Sequence, residues 1–239
     1  MDWLRAGLSA AVLLGLVTSA RAGTELVTNG GFEQTTLAGS HQFTTEVTGW
    51  TTNGYNFLFF PGTATTAGAQ GQYGGLSLWG SNGFKDPSPA GGNFIGNDGA
   101  FEVDPVSQVI KGLTPGKTYD VSFYWAGAQQ AGFNGATTEQ WSVSLGRETH
   151  GTAIIDNPNH GFTGWLHDTI AFTATDASET LSFLAHGTPD GVPPFALLDG
   201  VSMQAVPEPS SLILGGGLAA FGGVRLLRSR LTRKPEARA

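Results

Sequence analysis

The chain has 239 residues, 36 glycines, no cysteine and a formal net charge of −7. Between residues 23 and 205 lie four basic and sixteen acidic residues, about −12, which argues against a nucleic-acid partner, and without cysteine no disulfide framework is available. An aromatic content of 10%, together with clear period-2 stretches, excludes a disordered chain.

At the N-terminus, residues 1–5 carry one arginine, residues 6–17 are apolar apart from Ser9, and Ala20-Arg21-Ala22 places small residues where a signal peptidase reads. The apolar run is roughly half the ~20 residues that span a bilayer. This predicts a signal helix over 1–22, with the mature chain starting near Gly23; an uncleaved anchor is the alternative.

Residues 23–205 suffice for one domain with a substantial core. Strands are expected at 25–28, 42–47, 56–60, 75–79, 106–110, 118–125, 140–146, 166–174, 179–185 and 195–206. The clearest is 118–125, where Tyr119, Val121, Phe123 and Trp125 share one face. Pro115 presets the turn before it, and Gly116 can take positive φ. Trp141, Val143 and Leu145, then Leu181, Phe183 and Ala185, repeat the alternation. The Gly-, Ala- and Thr-rich run 61–75 reads as one long loop. About ten strands and no amphipathic helix between the termini predict an all-β, antiparallel two-sheet sandwich.

At the C-terminus, Val206-Pro207-Glu208-Pro209 precedes an apolar segment, 212–224, and then six of the twelve basic residues, Arg225, Arg228, Arg230, Arg233, Lys234 and Arg238. As a helix the segment would be only ~20 Å long, short for a ~30 Å hydrocarbon core. The basic cluster would hold the tail in the cytoplasm and the body outside. Pro207 and Pro209 keep the approach extended.

This three-part order over 206–239 resembles the PEP-CTERM sorting signal. The resemblance implies Pro207, Glu208, Pro209, Arg225, Arg228 and Arg230 as sorting residues and an exosortase as processing partner. It implies a transient inner-membrane stage, then the cell surface or extracellular polysaccharide matrix of a Gram-negative bacterium. An ordinary tail anchor is the alternative.

Asn29-Gly30-Gly31-Phe32-Glu33 near the start, the stretch from Ile110 to Trp125, and Ala196-Leu197-Leu198-Asp199-Gly200-Val201-Ser202 near the end resemble galactose-binding-like jelly rolls of the carbohydrate-binding-module type. Fibronectin type III, about half this length, is the competing frame. The jelly-roll resemblance implies a structural calcium ion held by Glu33 and Asp199, with backbone oxygens near Asn29; turn and strand-end roles are the alternative. It also implies glycan binding, for which Tyr55, Tyr73, Trp79 and Phe84, in or beside Gly-rich loops, are the candidate platform. Trp125 and Trp141 belong to the core by strand parity, and Trp50 and Trp165 are assigned to it as well.

A catalytic reading finds little support. Gly75-Leu76-Ser77-Leu78-Trp79 lacks the second glycine of a nucleophile elbow. His41, His150, His160, His167 and His186 show no metal-ligand spacing, and residues 68–75 lack the lysine of a phosphate cradle. Asp98, Glu102 and Asp104 form an acidic cluster of the kind glycosidases use, but on so acidic a chain a solvated loop edge is the simpler account. Two roles stay open: a glycan-binding component of the envelope or matrix, and a structural surface protein without a specific ligand.

Overall fold

The structure is a computed structural model that describes residues 23–207, apart from residues 67 and 82. The expected signal helix, Glu208, Pro209 and the tail residues Arg225, Arg228 and Arg230 lie outside the described residues. Pro207 is the last residue described.

Thirteen strands form the described body. They are β1 (His41–Gln42), β2 (Asn56–Phe59), β3 (Ala69–Gly71), β4 (Gly74–Leu76), β5 (Phe94–Asp98), β6 (Val106–Lys111) and β7 (Thr118–Gln129). After them come β8 (Thr137–Leu145), β9 (Glu148–Gly151), β10 (Ile155–Asn157), β11 (Leu166–Thr173), β12 (Ser178–Thr188) and β13 (Pro194–Ala205). One sheet has eight strands in the order β11-β7-β13-β5-β2-β1-β3-β4; the other runs β10-β8-β12-β6, with β9 also pairing with β8. Every pairing is antiparallel except β1 with β3. This is the expected all-β jelly-roll sandwich. An eight-stranded sheet is wider than either sheet of the seven- to nine-strand immunoglobulin-type frame.

The alternation along β7 does what the sequence predicts. Tyr119, Val121, Phe123 and Trp125 are buried between the sheets, opposite Trp141, Val143, Leu181 and Phe183. Trp50 and Trp141 pack on Phe183 at 6.3 and 6.1 Å between ring centroids, and Phe123 meets it edge-on at 5.2 Å. Each buried indole keeps a partner for its N–H: Trp50 donates to Asn29 O, Trp125 to Asp168 Oδ2 and Trp141 to Leu197 O. Gly116 has φ +82°, which the turn after Pro115 requires.

The segment between β2 and β5 folds over the outer face of the larger sheet and builds a second core. Phe57, Phe59, Phe94, Phe195 and Leu197 from the sheet meet Ala64, Ala69, Leu76 and Leu78 from the covering segment. The central strands are therefore buried on both faces: Leu58, Ile95, Ala196 and Leu198 point into the first core and their neighbours into the second. The stretch 61–75, expected as a single loop, contains β3 and the start of β4. The strand expected at 25–28 is absent; that segment bonds at its ends, Leu26 N to Met203 O and Thr28 N to Gln108 Oε1.

Candidate functional site

At one end of the larger sheet β2 starts, β5 and β7 finish and β13 starts, so the connections 99–105, 130–136 and 189–193 converge there. They enclose a groove of about 280 Å³ lined by Tyr55, Tyr73, Asp98, Phe101, Phe133 and Asp190, with Ala100, Gln130, Gly191 and Pro193 completing the wall. Tyr55 precedes β2 and belongs to the second core, whereas Tyr73 sits at the two-residue tip of the β3–β4 hairpin. The rings of Tyr55, Tyr73 and Phe101 lie 5.5 to 5.8 Å apart. Tyr55 is buried, but Tyr73 is 63% and Phe101 43% exposed, so the triad presents ring surface to solvent from an anchored base.

The charged groups of the groove are acidic. Asp98, the last residue of β5, pairs in register with Phe195 of β13 and is 2% exposed. Its Oδ1 accepts the N–H groups of Ala100 and Phe101 at 2.9 and 3.1 Å, while its buried Oδ2 accepts from no donor among the described residues. Burial, with a contribution from the charge of Asp190, pushes the Asp98 carboxyl up to about 6. Glu102 stands beside the rings with φ +44°, a conformation that L residues seldom adopt and that is found at binding sites. Its carbonyl accepts Tyr55 N at 3.0 Å. Its carboxylate accepts the Tyr73 hydroxyl and the Gln72 amide, both at 2.5 Å.

The four aromatic residues expected to form a platform are thus divided. Tyr55 and Tyr73 line the groove. Trp79 is half-buried alongside it, stacked on His160 at 3.8 Å with its indole N–H on Phe133 O. Phe84 packs into the second core, 4.7 Å from Phe162. Trp165, partly buried against the same core, donates to Lys85 O. Phe101, Phe133, Asp98 and Asp190, which also line the groove, were not among the expected platform residues. The acidic cluster is also split: Asp98 is buried rather than solvated, Glu102 holds the hairpin tip, and Asp104 Oδ2 accepts Asn53 N.

Glu33 and Asp199 meet at a second place. A β-bulge between Asp199 and Ser202 interrupts the pairing of β13 with β7, and Val201 N turns to Gly30 O at 2.9 Å. Glu33 Oε1 and Asp199 Oδ1 each lie 3.9 Å from the point where a Cβ on Gly31 would stand. Asp199 is fully buried. It accepts the Ser88 hydroxyl on Oδ2, and burial raises its carboxyl to about 7, Glu33 adding to the rise. Glu33 Oε1 accepts Asn93 N at 2.7 Å. Gly92, at φ +74°, passes so close that a Cβ there would overlap this carboxylate. Two carboxylates and one hydroxyl suit a hard cation. The Asn29 carbonyl, however, already accepts Phe32 N and Trp50 Nε1. Among the described residues no group of three or more acidic, His or Cys side chains is placed to hold a metal. The rest of an oxygen shell would therefore come from solvent or from backbone other than Asn29.

No family model and no curated protein matches the chain. Among solved structures it is similar to TmCBM61 in complex with β-1,4-galactotriose, at 14% identity over 77% of this chain and 100% of that one, with a TM-score of 0.45. The CBM22-1 xylan-binding domain of Paenibacillus barcinonensis Xyn10C matches at 15% identity over 80% of this chain and 99% of that one, TM-score 0.41. The K3 cleaved adhesin domain of Lys-gingipain from Porphyromonas gingivalis W83 matches at 14% identity over 76% and 99%, TM-score 0.44.

Proposed function

We propose that the chain is an exported, non-catalytic β-sandwich that binds glycans of the bacterial envelope or extracellular polysaccharide matrix through the groove at the end of the larger sheet. The observation that carries this reading is the joining of an aromatic triad, the buried Tyr55 with the exposed Tyr73 and Phe101, to a buried carboxylate oxygen without a donor among the described residues, Asp98 Oδ2. A sugar ring offers an apolar C–H face for the rings and hydroxyl donors at its edge for Asp98, Asp190 and the Gln130 amide. That is the combination of apolar lining and a few fixed polar groups that small-ligand sites use. A smooth acidic surface with every aromatic buried would have favoured the purely structural role. Incubating the full chain with polysaccharides tests the reading: retention on them without release of new reducing ends is expected, and new reducing ends would make it an enzyme.

Sorting belongs to the same proposal. Signal peptidase would remove residues 1–22, and an exosortase would act at Pro207-Glu208-Pro209 while the apolar segment and Arg225, Arg228 and Arg230 hold the chain at the membrane. Intact-mass measurement of the exported protein is expected to show an end before Arg225; residues beyond it still attached would refute processing. Calcium is proposed at Glu33 and Asp199, where it would neutralise two neighbouring carboxylates and tie the opening of the domain to its last strand.

A further inference from the structure

The groove's polar chemistry has one sign. Asp98 and Asp190 line it and Glu102 stands at the edge of its rings, while the four Lys and Arg residues between 23 and 205, Lys85, Lys111, Lys117 and Arg147, are all absent from its wall. A buried carboxylate without a counter-charge is costly, and Asp98 has only backbone N–H donors, both on one oxygen. The faces of Tyr73 and Phe101 beside it are electron-rich, and such faces attract cations. A neutral hydroxyl could satisfy Asp98 Oδ2 but would leave the negative field of the three carboxylates unanswered. A uronate or sulfated sugar would be repelled by it.

We infer that the groove selects glycans carrying protonated amines, of the deacetylated hexosamine class, placing the ammonium between Asp98, Asp190 and the Tyr55–Tyr73–Phe101 rings. This inference rests on the glycan-binding reading and narrows it. Asp98 Oδ2 accepts one ammonium N–H, Asp190 supplies the second charge at the solvent side, and the ring triad covers the remaining C–H surface. The Tyr73–Glu102 bond keeps the outer ring facing the groove.

Calorimetric titration of the full chain with four hexasaccharides tests this: a glucosamine oligomer, its fully N-acetylated counterpart, a glucose oligomer and a uronate oligomer. The glucosamine oligomer is expected to bind at least about tenfold more tightly than the acetylated one, and the uronate oligomer not at all. Asp98→Asn, nearly isosteric, should remove most of that preference. Asp190→Asn, on an exposed connection where folding is not at stake, should reduce the preference as well. Asp176→Asn, an exposed carboxylate outside the groove, should leave it intact.

Equal affinity for acetylated and deacetylated oligomers overturns amine selection and leaves glycan binding standing. A loss with Asp176→Asn as large as with Asp98→Asn reduces the effect to net-charge attraction and overturns it too. Binding of none of the four overturns this inference and the parent reading together. Binding of a lysine-rich peptide in place of the glucosamine oligomer assigns the groove to a protein ligand and overturns both.

Discussion

The Tyr73 hydroxyl donates to Glu102 Oε1 at 2.5 Å, fastening the tip of the β3–β4 hairpin to the connection between β5 and β6. Without that bond a ring 63% exposed would be free to turn, and ordering it on binding would oppose affinity. The bond is charge-assisted and therefore stronger than a neutral one. Tyr73→Phe should weaken glycan binding severalfold, and Tyr73→Ala should weaken it further. Both should leave the melting temperature nearly unchanged, because exposed substitutions shift stability by only about 0.5 kcal/mol. Titration and thermal melts of the two variants check the separation.

Phe84 and Tyr73 were grouped by sequence and are separated by structure. Phe84 packs in the second core against Phe94 and Phe162. Phe84→Ala should therefore destabilise the fold, by about 2–3 kcal/mol for a partly buried aromatic, and lower the urea midpoint without selectively removing ligand affinity. A loss of affinity at full stability would return Phe84 to the binding surface.

How far the sequence reveals this molecule depends on which faces of a strand meet solvent. β7, β8 and β12 each have one solvated face over much of their length, so their alternation is visible, and Trp125, Trp141 and Phe183 fall where parity puts them. β5 is buried at all five positions, so Phe-Ile-Gly-Asn-Asp shows no alternation, and it is missing from the strands expected on sequence. The second core draws on Ala64, Ala69, Leu76 and Leu78, which have no period because their positions follow from the sheet beneath them. The groove has the same difficulty. Tyr55 and Tyr73 stood out as aromatics near glycines. Asp98 becomes a candidate binding group only because pairing with Phe195 buries it, and no local pattern announces a partner 97 residues away. Glu33 and Asp199, by contrast, were paired in advance by resemblance and do stand together.

Glu139 gives a prediction about acidity. It is fully buried beside β7, its Oε1 accepts the Thr137 hydroxyl at 2.5 Å, and its Oε2 has no partner among the described residues. Burial raises its carboxyl to about 8, against lowering by Thr137 and Asn157 and with some further rise from Asp156. An acid whose folded value is raised binds its proton more tightly when folded, so stability is lost as pH climbs from the unfolded value near 4.5 to about 8. Asp98 acts in the same sense between 3.8 and about 6. Thermal melts should show the highest stability in mild acid and a decline toward pH ~8. Glu139→Gln should flatten that decline and be the more stable protein on the alkaline side.

Calcium is tested by stability at fixed pH. An ion that binds only the native state contributes RT ln(1 + [L]/Kd), ~2.7 kcal/mol at a hundredfold excess over Kd. The protein should melt several degrees higher in millimolar calcium than in chelator, and Asp199→Asn should abolish most of that difference. Magnesium should substitute poorly, since it demands a tighter octahedral shell. An unchanged melting temperature would remove both as ligands, leaving Glu33 as an acceptor for Asn93 N and Asp199 as a buried residue at the bulge inside β13 rather than at a strand end.

The central claim, that the groove at the end of the larger sheet is a glycan site, is tested most directly by mapping the contacts of a bound oligosaccharide. Ligand-induced chemical-shift changes in the full chain, followed over a titration, are expected to concentrate on Tyr55, Tyr73, Asp98, Phe101 and Gln130, and Tyr73→Ala should abolish them. Saturable binding whose shifts fall elsewhere on the sandwich, undiminished by Tyr73→Ala, would contradict the account.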